Sequence, residues 1–288
     1  IRLDTAAGRA RSDPNAPDPR AAHPSAPSEP EPEREGRVRR WLTENRLECR
    51  RGARCFEVPM AALIALTLLA FWAVAALLLA GLCFGEEDNG LRKDATGRRE
   101  AAEEIATRLV EKLPEIRKTL ATDVTAAYCG DPAAESYAEI IACYPVIKAL
   151  TNYRIAHELH LLGVPLIPRI ITEMAHSETG IDIHPQATIG EYFTIDHGTG
   201  VVIGATCIIG NNVKLYQGVT LGAKSFPLDG YGNPIKGIPR HPILQDNVIV
   251  YANATILGRV TIGEGCVVGA NVWVTEDMEP QTTKINKK

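Results

Sequence analysis

The clearest pattern in the chain is an aliphatic residue that returns every six positions. In its regular part this series consists of Leu244, Val250, Ile256, Ile262, Val268 and Val274, and a less regular version runs back to Ile183. A second series of small or apolar residues lies four positions after each of these. A period of six matches neither an amphipathic helix nor an alternating strand, and a β-sandwich would show drifting strand lengths. The pattern predicts a solenoid of short parallel strands, three to a coil, with both series facing inward.

We call the six-residue series the ladder. Before it, between residues 98 and 178, apolar residues recur at helical spacing instead. Pro114 is expected to break the first helix, Gly130 to end it, and Asp131 to cap the next one. A last amphipathic helix is expected directly before the ladder. The sequence therefore predicts an α+β protein, with a helical domain over residues 98–178 and a parallel β-helix over residues 179–280.

The first 84 residues differ from the rest in composition. Residues 1–57 are rich in Pro, Ala, Arg and Glu and are expected to be disordered. Residues 58–84 carry no charge and exceed the roughly 20 apolar residues that a membrane-spanning helix needs. Arginines before this stretch and acidic residues after it would export the later part of the chain. The stretch is interpreted as incidental to a cytoplasmic protein or, alternatively, as a single-pass anchor.

The net charge argues against one class of partner, and a long insertion indicates where a ligand would bind. A net charge of -4 gives no basic field, so no nucleic-acid partner is expected. A Gly- and Pro-rich insertion over residues 223–242 interrupts the ladder and is expected to project as a loop. Insertions of this kind often lie on the binding face of a solenoid.

Polar residues break the ladder at three places that carry candidate chemistry. The motifs are IDIHP with Asp182 and His184, IDHGTG with Asp196 and His197, and PRHP with Arg240 and His241. Asp182 and His197 are fifteen residues apart, somewhat under the roughly 18 of three six-residue steps, so they could lie on neighbouring coils. A carboxylate beside an imidazole supports a general base that deprotonates a hydroxyl. A purely structural role is the alternative for any one of these histidines.

A zinc site made of His184, His197 and His241 is a second interpretation of the same motifs. The long insertion between the last two histidines argues against it. The neighbouring aspartates and Arg240 suit a zwitterionic ligand better than a metal, so no metal is expected.

Several longer runs of sequence carry a resemblance to a known family. They are GDPAA, YRIAHELHLLGVPLIPR, TGIDIHPQATIGEYFTIDHGTGVVIG, GNNVKLYQGVTLGA, RHP and ATILGRVTIGEG. Over about residues 113–274 the chain resembles the serine O-acetyltransferases of cysteine biosynthesis, which are hexapeptide-repeat acyltransferases. Its insertion is similar to that of the branch with an extended loop. The resemblance implies a left-handed parallel β-helix that transfers an acetyl group from acetyl-CoA to the hydroxyl of L-serine and yields O-acetylserine.

The resemblance also implies the roles of individual residues. His197 would be the general base, oriented by Asp182. Backbone around four small residues would contact acetyl-CoA, namely Gly222, Ala223, Ala252 and Ala270.

The substrate itself would be held as a zwitterion. Arg240 and His241 would bind the carboxylate of serine, while Asp131 and Asp196 would pair with its ammonium. This division is electrostatically reasonable because a zwitterion needs one cationic and one anionic partner.

The resemblance further implies a homotrimer, or a dimer of trimers, with L-cysteine as a candidate inhibitor. Ala205 stands where a glutamate is common in the family, and reduced activity is expected from that difference. The short C-terminal tail argues against a partnership with cysteine synthase. Acetylation of a sugar hydroxyl and a catalytically silent scaffold are the alternative functions.

Overall fold

The computed structural model describes residues 95–285, which form helices followed by short strands. The helices are α1 (Ala95–Gly130), α2 (Tyr137–Cys143), α3 (Pro145–Leu161) and α4 (Ile167–Thr179). The strands are β1 (Asp182–Ile183), β2 (Thr188–Ile189), β3 (Thr194–Asp196), β4 (Val202–Ile203), β5 (Ile208–Ile209), β6 (Lys214–Tyr216), β7 (Thr220–Gly222), β8 (Ile243–Leu244), β9 (Ile249–Val250), β10 (Thr255–Leu257), β11 (Thr261–Ile262), β12 (Val267–Val268), β13 (Trp273–Val274) and β14 (Thr283–Lys284).

The segments 1–57 and 58–84, expected to be disordered and hydrophobic respectively, lie outside the described residues. Within residues 95–285, no helix combines the length and the apolar character needed to cross a membrane.

The strands form three parallel sheets that wind into a left-handed β-helix of about five turns. Sheet A contains β1, β4, β7, β10 and β13, sheet B contains β2, β5, β8 and β11, and sheet C contains β3, β6, β9, β12 and β14. Each regular coil therefore gives one strand to each sheet. The ladder residues from Leu244 to Val274 are buried inside the coils. The predicted fold class, with an inward aliphatic ladder, is confirmed.

Three edges separate the sheets, and two of them matter for the site. The A–B edge consists of the turns that lead from sheet A to sheet B, at residues 184–187, 204–207, 223–242 and 258–260. The C–A edge consists of the turns that lead from sheet C back to sheet A, at residues 197–201, 217–219, 251–254 and 269–272. The long insertion thus belongs to the A–B edge.

The helical region departs from the prediction at two residues. Helix α1 continues through Pro114 to Gly130, so the predicted break is wrong. Burial of an apolar face on both sides of the proline outweighs the roughly 3 kcal/mol that an interior proline costs. Asp131 does not cap the next helix, because α2 begins six residues later and the Ser136 hydroxyl accepts from the Glu139 amide.

A buried ion pair joins the helices to the first coil. The guanidinium of Arg154 in α3 contacts both carboxylate oxygens of Asp123 in α1, at 2.7 and 2.9 Å. It also donates to the carbonyls of Ile189 and Gly190 at the turn after β2. This contact holds the C-terminal part of α1, and with it the start of the following turn, against the β-helix.

Candidate active site

His197 lies on the C–A edge, directly after β3, with its side chain 77% exposed. Its backbone has a φ of 58°, in the left-handed region that few residues other than glycine adopt. Later turns of the same edge place Asn253 and Asn271 in that conformation. The edge therefore requires a left-handed residue, and at the first coil this requirement directs an imidazole outward. The Nε2 atom of His197 lies 3.8 Å from Oδ1 of Asp196.

Asp131 lies in the turn after α1, close enough to His197 to feel its charge. Its Oδ2 accepts a hydrogen bond from the Tyr144 hydroxyl at 2.6 Å, and its Oδ1 accepts one from the Ala133 amide at 2.8 Å. The Tyr144 hydrogen bond, the amide, Lys214 and His197 together lower the pKa of Asp131. The same hydrogen bond raises the pKa of Tyr144 to about 12. Asp131 is therefore an ionised acceptor at neutral pH.

Lys214 on β6 completes this group and was missed by the sequence analysis. Its Nζ lies 3.0 Å from Oδ2 of Asp196 and donates to the carbonyl of Gly130 at 2.7 Å. Burial alone would lower the pKa of Lys214, but hydrogen bonds to Tyr216 and Asp196 outweigh it and raise the pKa. A charged residue at an outward strand position was the one available signal.

The structure shows Asp182 in a setting other than the expected hydrogen bond to His197. The register pairs Asp182 with Val202, so the first coil contains 20 residues (202 − 182), and His197 comes five positions before the residue stacked on Asp182. No hydrogen bond joins the two side chains in the described part of the chain. The carboxylate of Asp182 lies instead near Glu173 and His176, with ligand atoms within 4.8 Å of one another. The role of Asp182 in orienting His197 stays a prediction.

His241 lies at the end of the insertion, on the A–B edge, beside Arg240. Its ring packs so closely on Gly204 that an added Cβ would lie 2.0 Å from Cδ2 of His241, which makes glycine necessary there. The Thr206 amide donates to Nδ1 of His241 at 3.1 Å, so Nε2 carries the proton. Burial, with Arg240 and Arg259 nearby, lowers the pKa of His241 to about 4. The imidazole is therefore a neutral N–H donor, and the cations beside it are Arg240 and Arg259.

Two further residues of the A–B edge were singled out in the sequence. Burial, with smaller contributions from Arg169 and neighbouring histidines, lowers the pKa of His184 to about 4. Ala205 is buried in the turn that carries Thr206. Because His197 lies on the other edge, the three histidines considered for zinc do not meet within one copy of the chain.

The residues proposed to contact acetyl-CoA are divided between the same two edges. Gly222 and Ala223 lie at the A–B edge, where the insertion begins. Ala252 and Ala270 lie on successive turns of the C–A edge, and the carbonyl of Ala252 accepts from the Asn271 amide. Within one copy, Asp196 and His197 thus lie at the C–A edge, and Arg240 and His241 lie at the A–B edge.

Comparison with known proteins identifies the family. Residues 241–276 match the family described as "Bacterial transferase hexapeptide (six repeats)". A plasmid-encoded serine acetyltransferase of Synechococcus elongatus is 58% identical over 177 residues, which are 62% of this chain and 56% of that protein. The serine acetyltransferase of Bacillus subtilis is 43% identical over 168 residues, which are 58% of this chain and 73% of that protein.

A solved structure agrees with these relatives. Serine acetyltransferase 1 of Entamoeba histolytica, in complex with L-cysteine, superposes with a TM-score of 0.66 at 39% sequence identity. The superposition covers 77% of this chain and 76% of that one. The chain spans little more than half of the Synechococcus relative but about three quarters of the other two proteins. The chain belongs to the serine acetyltransferase family, whose members are acyltransferases.

Proposed function

We propose that this protein transfers the acetyl group of acetyl-CoA to the hydroxyl of L-serine and produces O-acetylserine and CoA. The observation that carries the proposal is the group of Asp131, Asp196 and His197 at one edge of the β-helix. Two carboxylates beside an exposed imidazole suit a substrate that presents an ammonium next to a hydroxyl. Membership in the family supplies acetyl-CoA as the acyl donor.

In this proposal His197 acts as the general base. The imidazole takes the proton of the serine hydroxyl while the oxygen attacks the carbonyl carbon of the thioester. The tetrahedral intermediate then collapses, the carbon–sulfur bond breaks, and the imidazolium returns its proton to the thiolate of CoA. The exposure of His197 leaves room for both substrates above the ring.

The substrate carboxylate is assigned to Arg240 and His241. Arg240 supplies the positive charge, and neutral His241 donates through Nε2–H, because its Nδ1 already accepts from the protein. A neutral donor beside an arginine binds a carboxylate without adding a second buried charge.

We propose that the complete site forms between copies of the chain in a homotrimer. Asp131, Asp196 and His197 lie at the C–A edge, whereas Arg240 and the neutral His241 lie at the A–B edge, so the two halves of a zwitterion site are separated within one copy. A heterologous contact between these two edges closes into a ring when it is repeated around a threefold axis. The same contact would place Ala252 and Ala270 of one copy across from Gly222 and Ala223 of the next, around acetyl-CoA. A dimer of trimers stays a prediction.

L-cysteine fits the same proposed site because it presents the same carboxylate and ammonium as serine. The Entamoeba relative is described as a complex with L-cysteine. We therefore expect L-cysteine to compete with L-serine. L-serine and acetyl-CoA are both cytosolic metabolites, which favours a cytoplasmic location for the protein.

Mixing two inactive variants tests this assignment. His197→Ala should lower kcat by about 10²–10⁴-fold, the contribution of a general base. Arg240→Met should lose most activity through weaker serine binding. Because each site takes His197 from one copy and Arg240 from another, subunit exchange between the two variants should restore up to about a quarter of wild-type activity. Absence of recovery after verified exchange would refute the intersubunit site.

The choice of acceptor distinguishes acetylation of L-serine from acetylation of a sugar hydroxyl. A neutral sugar offers no partner for Asp131, Asp196 or Arg240, so release of CoA thiol is expected with L-serine and not with a sugar. Release with the sugar alone would overturn the proposed substrate, and release with neither would overturn the enzymatic function.

A further inference from the structure

Lys214 is a largely buried cation beside the C–A edge that the mechanism above does not use. It is the first residue of β6, where the register pairs it with Thr194, and its neighbour Leu215 fills the core. Since side chains alternate along a strand, Lys214 points away from the core. Its side chain is only 16% exposed.

The ammonium of Lys214 joins the helical region to the catalytic edge. Its Nζ contacts the Gly130 carbonyl at 2.7 Å and Oδ2 of Asp196 at 3.0 Å. The ring of Tyr216 lies 4.5 Å from the same atom, at cation–π distance. A Cβ on Gly130 would lie 3.4 Å from Nζ, so the end of α1 packs directly on the lysine. The ammonium is thus held from three sides, and it in turn fixes the residue before Asp131.

The two carboxylates assigned to the substrate ammonium therefore have different surroundings. Asp131 accepts from neutral donors, the Tyr144 hydroxyl and a backbone amide. Asp196 holds Lys214 through Oδ2 and turns Oδ1 toward His197. Two carboxylates and one lysine leave a single net negative charge, which matches the single positive charge of an amino-acid ammonium.

We propose that Lys214 is a positioning residue that sets the recognition of the substrate ammonium. It holds Asp196 and the Gly130–Asp131 turn at a fixed spacing, and it balances the second carboxylate. This inference rests on the proposed acetyl transfer to L-serine and adds the residue that organises its amine site. Loss of Lys214 leaves Asp196 free to rotate and leaves two uncompensated charges beside His197.

The test compares three variants of the full chain by the release of CoA thiol from acetyl-CoA and L-serine. Lys214→Met keeps the length of the side chain and removes the charge, and Lys214→Arg retains the charge. Lys118→Met removes a lysine from the exposed face of α1 and is the matched control. In Lys214→Met the KM for L-serine should rise by about tenfold or more, the value of a lost hydrogen bond to a charged group. The KM for acetyl-CoA should stay within about twofold, because no contact to the thioester is assigned to this residue.

The pH profile provides a readout that a merely structural role would not move. The charged and titratable groups around His197 are Asp131, Asp196 and Lys214, with Tyr144 bound to the first of these. Removal of the Lys214 charge leaves two carboxylates uncompensated and favours bound protons at the site, so the acid limb of kcat/KM for L-serine should move to higher pH. Lys214→Arg should restore most of the wild-type profile, and Lys118→Met should leave it unchanged.

Two results would overturn the inference. One is a Lys214→Met enzyme with wild-type KM for L-serine and an unmoved acid limb. The other is an equal loss for both substrates together with a lowered unfolding temperature, which indicates a structural role only. Calorimetric titration with L-serine separates this inference from the proposed reaction. A wild-type chain that binds L-serine without turnover would refute the reaction and still allow the comparison of Lys214 variants, whereas a chain that binds no L-serine refutes both.

Discussion

The buried pair of Arg154 and Asp123 offers the most decisive test of how the helices are held on the β-helix. The guanidinium makes two contacts to the carboxylate, and two more to the carbonyls of Ile189 and Gly190 at 3.2 and 2.8 Å. Oδ1 of Asp123 also accepts from the Phe193 amide at 3.1 Å. The two side chains are 8% and 0% exposed, so water replaces none of these partners in the folded state.

Replacing Arg154 with Met keeps most of the buried aliphatic stem and removes every one of these donors. Asp123 would then be a buried carboxylate with one amide as its partner, and two carbonyls would lose a donor. Breaking a buried pair from one side costs about 3–5 kcal/mol. That is a large share of the roughly 5–15 kcal/mol by which folded proteins are stable. We therefore expect Arg154→Met to lower the free energy of unfolding by about 3–5 kcal/mol.

Urea unfolding followed by circular dichroism measures this change, at one protein concentration because association also stabilises the fold. Arg169→Met is the control, since Arg169 pairs with Glu173 on the surface and both are more than two fifths exposed. Its loss should cost at most about 1 kcal/mol. Asp123→Asn added to Arg154→Met should recover part of the loss, because the unpaired charge is gone. An Arg154→Met protein no less stable than the control would refute the reasoning.

Two other predictions concern the ladder and the acid range. Ile256→Ala should lower the free energy of unfolding by about 2–5 kcal/mol, because it leaves a cavity in the core. Thr255→Ala, on the outer face, is the control and should change it by about 0.5 kcal/mol or less. Urea unfolding measures both. The pKa of His241 is about 4 in the folded chain against an ordinary value of 6.5, and His184 is shifted in the same direction. As the pH falls, the histidines of the unfolded chain take up protons before those of the folded chain. The stability that comes from keeping these imidazoles neutral is therefore complete above pH 6.5 and is lost as the pH falls toward 4. His241→Asn should flatten the fall of the unfolding temperature over that window, with the partly exposed His176→Asn as control. An unchanged slope would contradict the assignment.

The ladder could be predicted from the sequence because its information is local. Each inward residue, such as Val250 or Ile256, packs mainly against the same position in the coils above and below. A fixed spacing along the chain therefore becomes a fixed spacing in space, and the solenoid follows from the period alone. The motifs around His197 and Arg240 could also be recognised from the sequence, because their charged residues interrupt this regular apolar spacing.

Tertiary packing decided the course of the helices and the contacts that bring the site residues together. Pro114 marks a helix break by local preference, yet burial on both sides keeps α1 continuous. Asp131 has the residue type of a helix cap, yet its carboxylate accepts a hydrogen bond from the Tyr144 hydroxyl instead. Lys214 carries no local sign of its contact with Asp196, because the two lie on different coils and meet only through the strand register.

The sequence by itself determined the β-helix, the position of its insertion and the residue types of the proposed zwitterion site. Only the tertiary structure decided that the first coil is 20 residues long (202 − 182), so that His197 precedes by five positions the residue stacked on Asp182. It alone also placed His197 and Arg240 on different edges of one β-helix. The physical reason is that burial fixes which residues face inward, whereas the direction of an outward side chain depends on the count of residues in every turn before it.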